Sequence, residues 1–430
     1  MSIKNSTIVV ASFILIGRIA GFIREWLLSS ISGANAETDV AVVLFTFPDL
    51  IVSLLLGGGL SSSLIPYLGS LEKQKKKKFV RQLSIYIGLI FLILSLLISI
   101  KLDILWNLLA PGIEQEVKRG ANNYFLIILF CLPLTSITGV LTAYLNSKSK
   151  FKIAASGNVL FNIGIIIGLL INIPIFLRVT VGIIIGSLLR FFVQSNYANL
   201  FKNIWRKSLF DENLITKEFI KLFVFNFTFV TSIILVPTIG RAWASTINEG
   251  SLTIFSYGNK LIELPVGIII ASLGSVLLTK LSNDSSILNI IKSIRFVFLV
   301  TIIFSIPAFF AAPLIVKLVY FKGQFDTYQL NELIAITKIG YLFLVPKVLI
   351  SLFSTIFAAR KKQKILLPVG ILMVILTNFF CYIFSFNGKL ESIAYANGIT
   401  YLFISILLYI LLNKYISKKI NKELITFQIN

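Results

Sequence analysis

The chain has 430 residues, of which 57% are hydrophobic and 13% charged, and its mean hydropathy is +0.91. A soluble protein could not bury so much apolar surface, so the composition predicts a polytopic membrane protein. The net charge of +22 would favour a nucleic-acid partner in a soluble chain. In a membrane protein, basic loops on the cytoplasmic side account for it, and we expect no nucleic-acid partner.

Several kinds of chemistry are excluded or disfavoured by residue types. The chain has no histidine, so histidine acid–base catalysis and histidine metal sites are excluded. Cys131 and Cys381 lie in separate apolar segments, so neither a disulfide framework nor a thiolate metal site is indicated. No Walker A phosphate-binding loop is found, which argues against ATP hydrolysis. We expect a transporter rather than an enzyme, with no cofactor and no metal.

Apolar segments of about 20 residues recur along the chain and predict about twelve transmembrane helices. Their approximate limits are 7–31, 39–68, 82–108, 121–145, 153–176, 179–200, 218–240, 251–280, 293–317, 329–358, 365–386 and 393–413. Lysine and arginine concentrate in alternate loops, of which 73–81 and 360–364 are the richest. By the positive-inside rule, this alternation predicts that both termini lie in the cytoplasm.

An internal repeat divides the chain into halves. Pro133 and Pro346 are each followed, thirteen residues on, by a polar or basic loop. The same shift superposes the fifth and sixth predicted spans on the eleventh and twelfth. We therefore predict an all-α protein of two six-helix lobes, 1–208 and 209–430, related by a pseudo-two-fold along the membrane normal. Transporters built in this way bind substrate between the lobes.

The first span contains three charged residues, Arg18, Arg24 and Glu25. A charge at the centre of a membrane helix costs about 2.5–3.5 kcal/mol on insertion scales, so such residues are functional candidates. Arg18 and Glu25 are seven residues apart and share a helix face. One arginine is expected to pair with Glu25 or Asp39 and leave the other for a ligand. Snorkelling of the arginines to the membrane surface is the alternative.

Charged residues in spans two and eight provide further candidates. Asp39 follows Thr38 at the start of span two, where capping of its own helix is the alternative role. Lys260 and Glu263 are three residues apart in span eight and share a face. A self-neutralising pair is the alternative there.

Spans two, six and ten contain features with structural consequences. Residues 57–59 are three consecutive glycines, which predict either a bend or close helix packing. Lys347 follows Pro346 in span ten, where we expect a kink. Arg190 lies near the cytoplasmic end of span six and is expected to snorkel.

The charges inside the spans favour an anionic ligand. The cations are Arg18, Arg24, Lys260 and Lys347, against the acids Glu25, Asp39 and Glu263. The planar guanidinium group matches phosphate oxygens, so a phosphate or diphosphate headgroup is the natural ligand.

Several segments carry a family resemblance. They read G-R-I-A-G-F-I-R-E in span one, then G-A-N-A-E-T-D and F-P-D-L, and Y-G-N-K-L-I-E-L-P in span eight. Later segments read Y-F-K-G-Q-F-D-T and P-K-V-L-I-S-L-F-S-T. In this order they resemble the MurJ (MviN) family of lipid II flippases, in the multidrug/oligosaccharidyl-lipid/polysaccharide exporter superfamily.

The resemblance implies two six-helix lobes around a central cationic cavity in the bacterial inner membrane. It implies movement of undecaprenyl-diphosphate-linked peptidoglycan precursor from the inner to the outer leaflet by alternating access, which serves cell wall biogenesis and cell shape. Family positions fall on Arg18, Arg24, Asp39, Lys260 and Glu263. On this basis Arg18, Arg24 and Lys260 hold the diphosphate. The acids Glu25, Asp39 and Glu263 orient these cations.

We expect a monomer surrounded by membrane lipids, with transport coupled to the membrane potential or to a cation. The chain departs from the family at Val52 and Ser53, where the family has an arginine, and at Gly58, where it has a glutamate. It also ends after twelve spans, whereas familiar members have two more. Because of these departures, two alternatives stay open. They are a flippase for another lipid-linked oligosaccharide and a cation-coupled drug exporter, which should prefer an acidic cavity.

Overall fold

The computed structural model describes residues 3–199, 211–263, 265–266, 287–320, 324–360 and 362–429, which form helices joined by turns and loops and contain no β-strand. The helices of the first half are α1 (Ile3–Ser32), α2 (Ala36–Leu55), α3 (Ser61–Ser70), α4 (Lys73–Ile100), α5 (Leu102–Leu109), α6 (Gln115–Ser147), α7 (Phe151–Leu170) and α8 (Ile175–Ala198). Those of the second half are α9 (Lys217–Ala244), α10 (described over 251–263), α11 (Ile287–Tyr320), α12 (Thr327–Leu342), α13 (Leu344–Ala359), α14 (Leu366–Ser385) and α15 (Leu390–Ile429).

The predicted spans coincide with single helices or with consecutive pairs. Among the described residues, eight helices are long and apolar enough to cross a membrane, or nine if the bent pair α12–α13 is one span. Three predicted spans are outside this set: those at α1, α9 and α10. Most of the eighth predicted span, 251–280, lies outside the described residues.

Helices α1–α8 pack on one another and form the first lobe. Small residues bring α7 and α8 into close contact: a Cβ atom on Gly164 would collide with the main chain of Gly186, and one on Gly168 with the main chain of Arg178. Small residues at such crossings allow membrane helices to approach closely and gain dispersion energy without a hydrophobic driving force. This packing fixes the inner face of α7, which supplies Asn162 to the site described below.

Helices α11–α15 pack around the core of the second lobe, and α9 contacts both lobes. One face of α9 packs on α14 and α15, and another packs on α2 and α3 of the first lobe. The predicted lobe boundary at 208/209 lies outside the described residues. Because α9 contacts both lobes, residues near its end are positioned at the lobe interface.

Two predicted irregularities are present. Residues Leu56–Leu60 form a π-helical turn between α2 and α3, in which Gly59 has φ 141°. Only glycine adopts that backbone without strain. Helices α12 and α13 are bent by 45° at a break around Phe343, three residues before Pro346. The proline ring has no N–H for the carbonyl of Leu342, which weakens the helix at this point.

Candidate functional site

Arg24 is the most enclosed of the predicted site residues, with only 1% of its surface exposed. Its Nη2 lies 3.0 Å from Glu25 Oε1, and its Nη1 donates to Asn162 Oδ1 at 2.8 Å. The same Nη1 lies 3.4 Å from Asp49 Oδ2, and the guanidinium carbon lies 4.0 Å from the Phe45 ring centroid. The side chain therefore points into the first lobe and does not snorkel to the membrane surface.

Helices α1 and α10 connect the two lobes through charged groups. Lys260 Nζ lies 3.4 Å from Glu25 Oε1. Arg18 Nη1 donates a hydrogen bond to the main-chain oxygen of Glu263. Among the described residues, Lys260 forms its ion pair with Glu25 of the other lobe and not with Glu263 of its own helix. Four of the predicted site residues are thus brought together between the lobes.

Asp39 bonds to the other lobe instead of capping its own helix. Helix α2 is capped by Asn35, whose side chain accepts from Thr38 N at 2.9 Å. The Asp39 carboxylate accepts from Gly250 N at 3.0 Å, Thr253 N at 2.8 Å and Thr253 Oγ1 at 2.6 Å. These donors lie at the start of α10. A carboxylate at this position satisfies otherwise unpaired N–H groups and interacts favourably with the helix dipole.

The capping is reciprocal. Glu249, immediately before α10, accepts from the main-chain N–H of Ala36 at 3.2 Å. Ala36 is the first residue of α2. Each lobe therefore supplies a carboxylate to the N-terminus of a helix in the other lobe.

Further contacts seal the same end of the molecule. Gln324 N donates to Ser29 O at 3.3 Å, and Gln329 Nε2 donates to Ala34 O at 2.9 Å. Gly250, with φ 78°, lies so close to Ala34 that a Cβ atom there would collide with its carbonyl group. We call residues 29–36, 245–253 and 324–329, which meet here, the closed end.

Lys347 lies deeper in the second lobe. Its Nζ is 5.6 Å from the Tyr401 ring centroid, and it lines a small cavity together with Asn259 and Asn397. Ile262 of α10, the neighbour of Glu263, lines the same cavity. Lys347 therefore lies close to the α10 part of the site, although it makes no ion pair among the described residues.

Several polar residues of this region were not anticipated. Asn162 carries no charge, and nothing in its sequence context points to Arg24. Arg190 is 4% exposed, so the expected snorkelling is wrong; its guanidinium lies beside Gly157, close to Gln194. Glu249 follows a polar turn, and the one feature of the sequence that could have indicated its capping role is its position just before an apolar helix. The described residues contain no group of three or more metal-binding side chains.

Comparisons with known proteins agree with this geometry. Residues 28–429 match the family model described as lipid II flippase MurJ. A probable lipid II flippase MurJ of Buchnera aphidicola subsp. Schizaphis graminum is 25% identical, with 93% of this chain and 82% of that protein covered. The corresponding protein of Aquifex aeolicus is 26% identical, with 90% and 78% covered. A lipid II flippase MurJ of Burkholderia cenocepacia is 24% identical, with 89% and 78% covered.

Solved structures share the fold. A lipid II flippase MurJ in an inward closed conformation matches with a TM-score of 0.83 at 22% identity, covering 94% of this chain and 87% of that one. An inward-facing multidrug resistance MATE family transporter matches with a TM-score of 0.70 at 18% identity, covering 96% and 98%. The predicted fold class, an all-α membrane protein of two six-helix lobes, is confirmed. The match of the family model over nearly the whole chain shows that the chain belongs to the lipid II flippase MurJ family.

Proposed function

We propose that the protein is a lipid II flippase that moves undecaprenyl-diphosphate-linked peptidoglycan precursor from the inner to the outer leaflet by alternating access. Family membership supports this proposal. The observation that carries it is the charged cluster on α1 and α10, where Arg18, Arg24 and Lys260 lie beside Glu25 and the main chain of Glu263. Buried charges of this kind are expensive in a membrane protein and mark substrate paths.

The cluster also suggests how a diphosphate would act on it. Glu25 Oε1 is shared by Arg24 on its own helix and by Lys260 on the other lobe. A diphosphate entering between α1 and α10 competes with Glu25 for both cations. The Lys260–Glu25 contact across the lobes then breaks, while the main chain of Glu263 still accepts from Arg18. Asp39, predicted to orient the cations directly, instead holds the N-terminus of α10, the helix that carries Lys260. Lys347 adds positive charge on the second-lobe side of the site.

The charge of the loops supports a topology with both termini in the cytoplasm of an inner-membrane protein. On that topology the closed end faces outward, and the substrate enters from the cytoplasmic side. An inside-negative potential favours outward movement of an anion by about 2.3 kcal/mol per charge per 100 mV, so the potential can drive transport without ATP. We propose that the lobes 1–208 and 209–430 rock as units in a monomer surrounded by lipid, without enzymatic activity.

Complementation tests this function. The native lipid II flippase of a bacterium is depleted while this chain is expressed, and we expect growth and cell shape to be restored. Precursor exposed on the outer leaflet is measured in the same cells. A chain that inserts in the membrane but restores neither exposure nor growth would contradict the proposal.

The cluster disfavours the drug-exporter alternative, because a net positive cavity repels cationic drugs. A different lipid-linked oligosaccharide would present the same diphosphate to the same cations. Depleting a flippase for such an oligosaccharide, in parallel, distinguishes the two: we expect rescue of the lipid II flippase alone.

A further inference from the structure

Arg241 lies in the last turn of α9, the helix that contacts both lobes. Its Nη2 donates to Thr238 Oγ1, one turn earlier on the same helix, at 3.1 Å. The side chain is half-buried and makes no ion pair with any described residue. The other guanidinium donors have no hydrogen-bond partner within the described parts of the chain.

The surroundings of Arg241 belong to both lobes. Helix α9 packs on α14 and α15 of the second lobe and on α2 and α3 of the first. Arg241 shares a cavity with Leu50 of α2, the neighbour of Asp49, whose Oδ2 lies 3.4 Å from Arg24 Nη1. An arginine in the last turn of a helix is favourable for the helix dipole, but that role does not require an interface location.

The side chain of Arg241 also faces a cavity between the lobes. It lines a small cavity whose walls include Phe47 and Leu50 of α2 and Leu252 of α10. Apolar walls lower the local dielectric and strengthen any charge–charge contact made there. A cation at such a place interacts strongly with an anion that enters between the lobes.

A charge count shows what the cluster lacks. The cations near the interface are Arg18, Arg24, Arg241, Lys260 and Lys347, and the acids not used as helix caps are Glu25, Asp49 and Glu263. The cations outnumber the acids. Each phosphate of a diphosphate diester is ionised, so a diphosphate reduces this excess of positive charge.

Both terminal nitrogens of Arg24 are engaged by Glu25, Asp49 and Asn162, so Arg24 binds a phosphate only by giving up such a contact. Arg241 has guanidinium donors that need not leave a partner. We infer that Arg241 is a ligand for the diphosphate of the substrate, contacting one phosphate while the α1–α10 cluster contacts the other. This inference rests on the proposed function. It adds a cation from α9, at the lobe interface, to a site otherwise built from α1 and α10.

Binding of two defined probes tests the role. The purified full chain is titrated with undecaprenyl diphosphate and with undecaprenyl monophosphate, and binding is followed by native mass spectrometry. Arg241→Gln is expected to weaken diphosphate binding about tenfold, the loss typical of one charge-assisted hydrogen bond. Monophosphate binding should change much less, since it needs only the α1–α10 cluster. Arg241→Lys, which keeps the charge without the planar fork, should lose less than Arg241→Gln.

The control is Arg178→Gln, because Arg178 bonds to Ile173 O and Asn172 Oδ1 in the turn beside its own helix. It should bind both probes like the wild type.

Unchanged diphosphate binding by folded Arg241→Gln would overturn the inference and leave the proposed function intact. If Arg241 merely neutralises Glu263, the double variant Arg241→Gln with Glu263→Gln regains wild-type binding, which also overturns it. Should Arg241→Gln fail to fold, Arg241→Lys decides by the same comparison. A wild-type chain that does not bind undecaprenyl diphosphate would instead contradict the proposed function.

Discussion

Arg24 and Glu25 are neighbours in sequence, yet each is tied to a different part of the molecule. Arg24 bonds to Asn162 on α7 and to Asp49 on α2, inside the first lobe. Glu25 pairs with Lys260 of the second lobe. A change at 24 therefore disturbs the interior of one lobe, whereas a change at 25 disturbs the contact between lobes.

Substitution of Arg24 separates its charge from its geometry. Arg24→Ala leaves Glu25 and Asp49 without their buried partner, and breaking such a pair typically costs about 3–5 kcal/mol. Arg24→Lys keeps the charge but loses the fork that reaches Asn162 and Asp49 together. We expect both variants to lose outer-leaflet exposure of precursor, and only the alanine variant to unfold at a markedly lower temperature. Normal precursor exposure with Arg24→Ala would contradict a role of Arg24 in transport.

The site residues differ in how far the sequence could identify them. Charged positions such as Arg18 and Lys260 are recognisable because a charge inside an apolar segment is costly. Their partners are not, because Arg24 and Asn162 are 138 positions apart in sequence. The snorkelling expected of Arg190 was wrong because its position along the helix was readable but the face it occupies was not.

At the level of helices, the turn between α2 and α3 is the sharpest local constraint. Three successive glycines predicted either a bend or close packing, and both are found: the π-helical turn is bent, and α9 packs against it. Hydrophobic segments located the helices because each span must satisfy its backbone internally. The break at Phe343, three residues before Pro346, was placed only approximately because a proline weakens several preceding positions.

Alanine substitutions within this region provide a matched pair. Gly59 has φ 141°, so Gly59→Ala is expected to destabilise the protein by about 1–3 kcal/mol. Gly69 lies in α3 with no atom within 4 Å of an added Cβ, and alanine is the better helix former by about 1 kcal/mol. Thermal unfolding in detergent should therefore show a loss for the first variant and none for the second. Equal unfolding temperatures for Gly59→Ala and the wild type would show that the positive φ is not required.

For the whole molecule, the relation between the lobes determines which state is populated. The repeat in the sequence predicted two lobes, and their fold is confirmed by the similarity to the solved flippase structure. The contacts that seal one end were beyond prediction. Asp39 and Thr253 are 214 positions apart, and their bond depends on how the lobes are oriented.

Asp39→Asn tests the contribution of the closed end to this equilibrium. Asparagine can still accept hydrogen bonds but lacks the negative charge that the helix N-terminus favours, a loss of about 0.3–2 kcal/mol, which shifts the ratio of open to sealed molecules by about 2- to 30-fold. Labelling of a cysteine introduced at Ser29 by a membrane-impermeant maleimide should therefore become faster. The two native cysteines are buried and give little background. Glu37→Gln is the control, since Glu37 is exposed on the same turn of α2; if both variants label alike, the cap does not hold the lobes together.

Because the two caps are reciprocal, the closed end can open only if water enters between the lobes. When the lobes separate, Asp39 and Glu249 leave their N–H partners together, and both the carboxylates and the two helix N-termini need water in exchange. We therefore expect water to enter the gap in the same step in which the lobes part, so that the seal yields completely or not at all. Solutes too large to enter the gap lower the activity of the water that it needs, so they should favour the closed state. A lipid headgroup can then leave through the closed end only after water has filled the gap.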